Sequence, residues 1–307
     1  MLGSVLLALS IAFPAEGQRL PPIDHAYVIG AAPIGTTNVT IAGKSVDVYR
    51  SGAWATLVDV TEGSNTIAVV CGDVSTNRTF LVEKKRAPKP LAPGEKPPPP
   101  KEWKKLDYAG DEPKPHPAGR APGEVTVVVD PGHGGTDTGA ISPHGLYEKN
   151  ANLLAAKAVR DALAARGYRV LMTREHDEAL VLTERPRLAH TENADAFISI
   201  HHNAPAADKD PSSIRYMSVY SWNPLGLALS DAIAARLGAA VEGEIPSKGS
   251  LHANFAVTRN PEIPSCLVEL DFITSPAGEE AIFSPDRRKK LAEAIADGFA
   301  DWCAKER

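Results

Sequence analysis

Four side chains stand where chemistry is usually placed, at the ends of apolar runs. His133 follows Val127-Val128-Val129-Asp130-Pro131-Gly132 and is followed in turn by Gly134-Gly135. β-Branched residues running into Pro-Gly mark a buried strand that stops, and open α/β sheets build ligand sites just beyond such strand ends. Taken alone, His133 is open to three readings: metal ligand, catalytic base or ordinary loop histidine. His201 closes a second apolar run, Phe197-Ile198-Ser199-Ile200, and Glu148 opens a long helical stretch. Two imidazoles and a carboxylate make the mixed nitrogen and oxygen donor set of a catalytic Zn²⁺, with a fourth position left for water. A structural zinc site favours thiolates, and Cys71, Cys266 and Cys303 share no short spacing. Glu269 interrupts the apolar run Cys266-Leu267-Val268-Glu269-Leu270. An ionised acid there is costly unless it has a partner or a task. From the C-terminal end of a strand it could take a proton from water and return it to a leaving nitrogen.

The elements that must hold these groups alternate from Val125 onward. Val125 to Asp130 reads as a strand. Asn150 to Arg166 reads as a helix, with Ala151, Leu154, Ala155, Ala158, Val159 and Ala162 on one face and Gly167 at its end. Tyr168 to Thr173 is a strand, Thr183 to Asn193 a helix, Ala196 to His201 a buried strand and Arg215 to Tyr220 another. Asn223-Pro224 and Ser284-Pro285 each combine a capping side chain with proline at the first helical position. Cys266 to Leu270 lies between those two helices as a further strand. The expected fold class is therefore α/β, a mainly parallel sheet flanked by helices on both faces. Adjacent strand residues point to opposite faces, so His201 and His202 cannot both reach one metal, and His202 is read as packed or hydrogen-bonded. Asp130 is read either as orienting His133 or as capping its turn.

The N-terminal half has another character. Asn38 to Ala42, Val46 to Tyr49, Thr56 to Val60 and Thr66 to Val70 are short alternating runs separated by turn residues, the pattern of a small all-β sandwich over residues 24–83. This segment resembles the immunoglobulin-like domains attached to many exported bacterial enzymes, its Glu62-Gly63-Ser64-Asn65-Thr66-Ile67-Ala68-Val69-Val70 being similar to their turn and strand. No catalytic cluster falls in this segment, so a binding or spacer role is expected, the cell wall or a protein partner being what it would bind. Residues 86–123 carry Pro97-Pro98-Pro99-Pro100 and further prolines among Lys and Glu, the composition of a semi-rigid linker, with Trp103 and Tyr108 as residues that could dock on a domain. The catalytic domain is then expected over residues 124–307. At the start, Leu2 to Phe13 is an apolar run too short for a comfortable membrane span. With Ala15-Glu16-Gly17 it suggests a signal peptide over residues 1–17, hence export and no integral membrane segment after cleavage. An apolar fraction of 43% and a net charge of -5 fit a globular chain with no nucleic-acid partner.

Beyond the individual residues, the C-terminal half carries a series of ordered motifs: VVVDPGHGGTDTGA, GLYEKNANL, LMTREHD, ADAFISIHHNA and CLVELDFITSP. From Val125 to about Gly298 the chain resembles the zinc-dependent N-acetylmuramoyl-L-alanine amidases of the type-3 class. That resemblance implies one catalytic Zn²⁺ on His133, Glu148 and His201, with Glu269 as the catalytic glutamate. It also implies a peptidoglycan substrate, cut between the lactyl group of N-acetylmuramic acid and L-alanine, and a periplasmic or extracellular location. Two departures stand out, His202 where a small residue is usual and Asp271 where glycine is common. Some family members carry an inserted helix that blocks the zinc, whereas here the strand near Ser221 runs directly into the helix at Asn223. Arg259 and Asn203 are the expected substrate contacts. His25, His176 and His190 are read as ordinary loop or surface residues, His144 as an exposed loop residue or one lining the substrate groove, and His116 as no ligand, while His252 precedes a segment that borders the family's cleft. Two rivals use the same residues: a zinc peptidase that trims within the stem peptide, and a non-catalytic wall-binding protein.

Overall fold

The computed structural model describes residues 8–85 and 112–305. The N-terminal unit is all-β: β1 (Ser10–Phe13), β2 (Arg19–Leu20), β3 (His25–Ala31), β4 (Asn38–Ile41), β5 (Lys44–Asp47), β6 (Ala53–Asp59), β7 (Gly63–Cys71) and β8 (Val74–Val82). They form a three-stranded sheet in the order β1-β3-β6 and a five-stranded sheet in the order β2-β8-β7-β4-β5. Alternation along β4, where Val39 and Ile41 are buried and Asn38 and Thr40 exposed, gives the five-stranded sheet one wet face. The inner faces meet on Ile11, Val28, Trp54, Ile41, Val69 and Phe80.

The unit begins earlier than the expected boundary at residue 24. Ile11 is buried in its core and β1 pairs with β3. The Ile11 carbonyl accepts a hydrogen bond from Arg78 Nη2 at 2.6 Å. The apolar run Ser10–Phe13, read from the sequence as part of a leader, is paired with β3 in this structure.

The second unit contains β9 (Thr126–Pro131), α1 (Glu148–Ala165), β10 (Arg169–Met172), α2 (Glu184–Thr191), β11 (Ala196–Asn203), β12 (Met217–Ser221), α3 (Pro224–Ala240), β13 (Ser247–His252), β14 (Ser265–Phe272), α4 (Pro276–Phe283) and α5 (Pro285–Ala304). Its six-stranded sheet runs β10-β9-β11-β14-β12-β13. Every junction is parallel except that between β14 and β12, so the sheet is mixed. Odd and even positions divide the faces. Val127, Val129, Ile198, Ile200, Cys266 and Val268 pack against α1, α3 and α5. Val128, Phe197 and Leu267 face α2 and the segment around Val257 and Ile263. Helices therefore lie on both sides, as expected.

The capping logic holds locally. Asn223 Oδ1 accepts from Gly226 N at 3.0 Å and Ser284 Oγ from Arg287 N at 3.3 Å, each ahead of a first-turn proline. Ser275-Pro276 does the same for α4, an eight-residue helix absent from the sequence reading. β13 was also missed: Ser247-Lys248-Gly249-Ser250-Leu251-His252 has no apolar alternation, and its pairing with β12 makes it a strand. β12 passes to α3 through Trp222 and Asn223 alone, as the sequence suggested.

Residues 112–123, expected as the end of the linker, pack on the α/β unit. Lys114 N donates to the Glu262 carbonyl at 2.8 Å, Arg120 pairs with buried Asp195 at 2.5 Å, and the His116 ring meets Trp302 edge-on at 4.7 Å. Trp103 and Tyr108 lie outside the described residues. Among the described residues, no helix is long and apolar enough to cross a membrane.

Candidate metal centre

His133 sits just past β9 with φ of 58°, a left-handed conformation that costs a non-glycine residue about 1–3 kcal/mol. Two buried arginines hold it there. Arg174 donates to the carbonyls of Pro131 at 3.0 Å and Gly132 at 2.9 Å. Arg185, from α2, donates to those of Pro131 at 2.8 Å and His133 at 2.6 Å. Arg185 is itself held by Asp130 at 2.8 Å, a carboxylate with no exposed surface that also accepts from Thr173 Oγ1 at 2.5 Å and Ser199 Oγ at 2.7 Å. Asp130 thus acts on the histidine loop through Arg185. The group that orients the imidazole is Asp137, whose Oδ2 lies 2.9 Å from His133 Nδ1. That contact leaves Nε2 facing Glu148.

Glu148 is the first residue of α1, where unpaired helical N–H groups favour an anion. Its Oε1 lies 3.2 Å from His133 Nε2 and 3.1 Å from His201 Nδ1. It also accepts from Asn152 Nδ2 at 3.0 Å, and Oε2 accepts from Ala140 N at 2.9 Å. The His133 and His201 rings meet at 77° with centroids 4.9 Å apart. One donor atom from each of the three residues falls within 4.8 Å of the others. This spacing needs two glycines. A Cβ on Gly132 would come within 2.1 Å of the His201 ring, and one on Gly139 within 2.6 Å of Glu148 Oε2.

The electrostatics agree with a cation site. Burial favours the protonated form of Glu148, but hydrogen bonds from His133 and His201 outweigh it and hold the acid well below its ordinary range. Burial opposes charge on His133 too, yet Glu148 and Asp137 push its pKa up to about 9. Glu269 is the cross-strand neighbour of His201 on β14. Burial first, and then the charge of Glu148, raise Glu269 well above the usual carboxylate range. Its Oε2 is buried without a hydrogen-bond partner. An orphaned carboxylate oxygen, two imidazoles and a second carboxylate fit a divalent cation, whose charge lets both acids ionise.

The other expected residues fall as follows. His202 points to the opposite face, is buried and hydrogen-bonds through Nδ1 to Asn152 Oδ1 at 2.8 Å. Burial depresses its pKa to about 3, so it is neutral and donates. Asp271 stays within β14 and is gripped by Arg215 at 2.6 Å and Arg287 at 3.0 Å. Arg259 Nε donates to Asn254 Oδ1 at 2.6 Å, and Asn203 Oδ1 accepts from Ala204 N at 2.8 Å. Neither is among the side chains walling the cavity of about 230 Å³ beside His133 and His201. Leu180, Leu182, Phe255 and Val257 form the apolar part of that wall, and Asp137 and Arg185 the polar part.

His25 is exposed and pairs with Asp59, His190 pairs with Glu262 at 2.7 Å, and His252 stacks on Trp222. His144 is not the solvent-exposed loop residue expected: it is largely covered and bonded to Glu279 at 2.6 Å. Asp137, Asn152, Arg174 and Arg185 were missed. Only Asp137, four residues after His133, carried a local signal.

A model of the N-acetylmuramoyl-L-alanine amidase family matches residues 127–301. The N-acetylmuramoyl-L-alanine amidase AmiC of Neisseria meningitidis serogroup B is 34% identical over 224 residues, covering 59% of this chain and 52% of the relative. The chain thus spans about half the length of that relative. The N-acetylmuramoyl-L-alanine amidase AmiA of Escherichia coli is 33% identical over 226 residues, covering 60% of this chain and 78% of the other. Among solved structures, the N-acetylmuramoyl-L-alanine amidase AmiC2 of Nostoc punctiforme superposes with a TM-score of 0.55 at 34% identity, covering 58% of this chain and 97% of that one. With the match spanning the strands and helices that carry His133, Glu148, His201 and Glu269, the chain belongs to the N-acetylmuramoyl-L-alanine amidase family.

Proposed function

We propose that this protein hydrolyses the amide between the lactyl group of N-acetylmuramic acid and the L-alanine of peptidoglycan stem peptides. The observation that carries this is the convergence of His133, Glu148 and His201, with Glu269 paired beside His201 on the adjacent strand. The relatives' activity supports the choice of substrate. His133, Glu148 and His201 would hold one Zn²⁺. When bound, it would polarise the scissile carbonyl and lower the pKa of water to about 7.

The chain's own groups do the rest. Glu269 accepts the proton of the attacking water and passes it to the leaving nitrogen. Its burial keeps bulk water from competing for that proton. Asp137 fixes the His133 ring, and Asn152 and Ala140 N fix the carboxylate of Glu148. Arg185 and the apolar side chains of the neighbouring cavity form a wall for the substrate. Arg259 and Asn203 are retained as proposed contacts for more distant parts of the glycopeptide, Arg259 toward a carboxylate.

We read the N-terminal unit as immunoglobulin-like, binding the wall or a protein partner, and the chain as exported to the periplasm or cell surface. The test is mass spectrometry of the products from purified sacculi, with and without a chelator. Intact stem peptides released only in the presence of metal are expected. Fragments cut within the stem would assign a peptidase instead, and adsorption to sacculi with no products would assign a binding protein.

A further inference from the structure

The β unit touches the α/β unit at the two loops that continue from the metal-binding residues. In the loop between β9 and α1, Ile141 inserts into an apolar cluster with Tyr27, Ile29 and Ala55 of β3 and β6. Three residues on, His144 Nε2 lies 3.1 Å from the carbonyl of Ser51. Its Nδ1 lies 2.6 Å from Glu279 Oε2, while Glu279 Oε1 accepts from His144 N at 3.1 Å. Both ring nitrogens face acceptors, so the side chain ties the β unit to α4 across the loop. In the loop after β11, the Ala207 carbonyl accepts from Tyr27 N at 2.8 Å. Arg50 closes the rim on Glu280 at 2.8 Å.

What this loop holds is Glu148. Ala140, next to Ile141, accepts from Glu148 N at 2.9 Å and donates to Glu148 Oε2 at 2.9 Å. The backbone and carboxylate of one metal-binding residue are thus both set by the neighbour of a residue anchored in the other unit. We propose that the β unit is a brace for the metal centre, with Ile141 and His144 as positioning residues that hold Ala140, and through it Glu148, in binding geometry. This rests on the metal-centre reading above. A separate wall-binding role for the β unit is compatible with it, but the brace requires the two units to act as one body when the metal is bound.

The test uses the full chain and Zn²⁺ itself, with affinity measured by chelator competition and hydrogen exchange followed over residues 138–148. His144→Ala and Ala55→Glu are each expected to weaken zinc binding by about tenfold, the lower end of what loss of a ligand's supporting contact costs. Amides of residues 140–142 should exchange faster, and His144→Gln, which can still donate to Ser51, should recover most of the affinity. A role confined to overall stability would lower the melting temperature without moving zinc affinity. Wild-type affinity and exchange in His144→Ala would overturn the brace, provided His133→Ala has lost the ion. Should Ala55→Glu unfold the β unit, His144→Ala decides alone. If His133→Ala binds zinc like the wild type, the metal-centre reading falls and the brace with it.

Discussion

Adjacent histidines on β11 meet opposite fates because the sheet has two unlike faces. His201 looks toward α2, where Asp130, Ser199 and Glu269 also point and polar groups are supplied with partners or left facing a cleft. His202 looks toward α1 and α5, into the larger apolar core, and its single strong partner is Asn152. The same imidazole is thus an open donor on one face and a neutral packing residue on the other. The lesson is that a side chain's chemistry here is set by which layer it enters, since burial without a counter-charge removes the charged form.

The comparison can be broken most sharply at Glu269. Glu269→Gln should keep the ion and lower kcat by roughly a hundred- to ten-thousandfold, the range for a general acid–base residue. Elemental analysis and a muropeptide assay check both parts, and near-normal turnover would remove Glu269 from the mechanism. Next in size is Arg185→Met, which leaves Asp130 buried without its cation. Breaking a buried pair in this way costs about 3–5 kcal/mol, visible in a urea melt. Asp137→Asn should be milder, weakening zinc by about 10- to 100-fold in chelator competition while leaving stability nearly unchanged.

The smallest expected effect tests the other face. His202 has a folded pKa depressed to about 3, so the unfolded chain binds its proton first as pH falls. Its contribution to stability is therefore complete above about pH 6.5, the unfolded value, and is lost progressively below it. His202→Asn keeps a donor for Asn152 but does not titrate. Its melting temperature should fall less than that of the wild type between pH 7 and pH 5, with zinc affinity unaltered. Equal slopes in the two proteins would show that His202 is not held neutral.

Much of the α/β unit was legible because its central strands are apolar runs, β9 stopping at Pro131-Gly132, and because α1 and α5 carry a 3.6-residue stripe while α3 and α5 carry a side-chain cap. Ser275-Pro276 had the cap without an apolar stripe behind it, and Ser247 to His252 had no apolar alternation, so α4 and β13 depended on their neighbours. The β1 strand was not legible for a related reason: Ser10-Ile11-Ala12-Phe13 has the apolar content of a leader as well as of a strand, and its pairing with β3 is a contact between distant segments.

The sequence alone singled out His133, Glu148, His201 and Glu269 as candidates, since a polar group at the end of an apolar run can be recognised without knowing what lies across from it. The alternation of side chains also sufficed to part His201 from His202. Only the tertiary structure decided that Asp130 works through Arg185, that Asp137 sets the ring of His133, and that His144 joins the two units. Each of those roles is a contact between elements distant in the chain or a turn conformation with no repeating signature. Such contacts depend on the register of the sheet and the docking of α2 and the β unit, which no local pattern encodes.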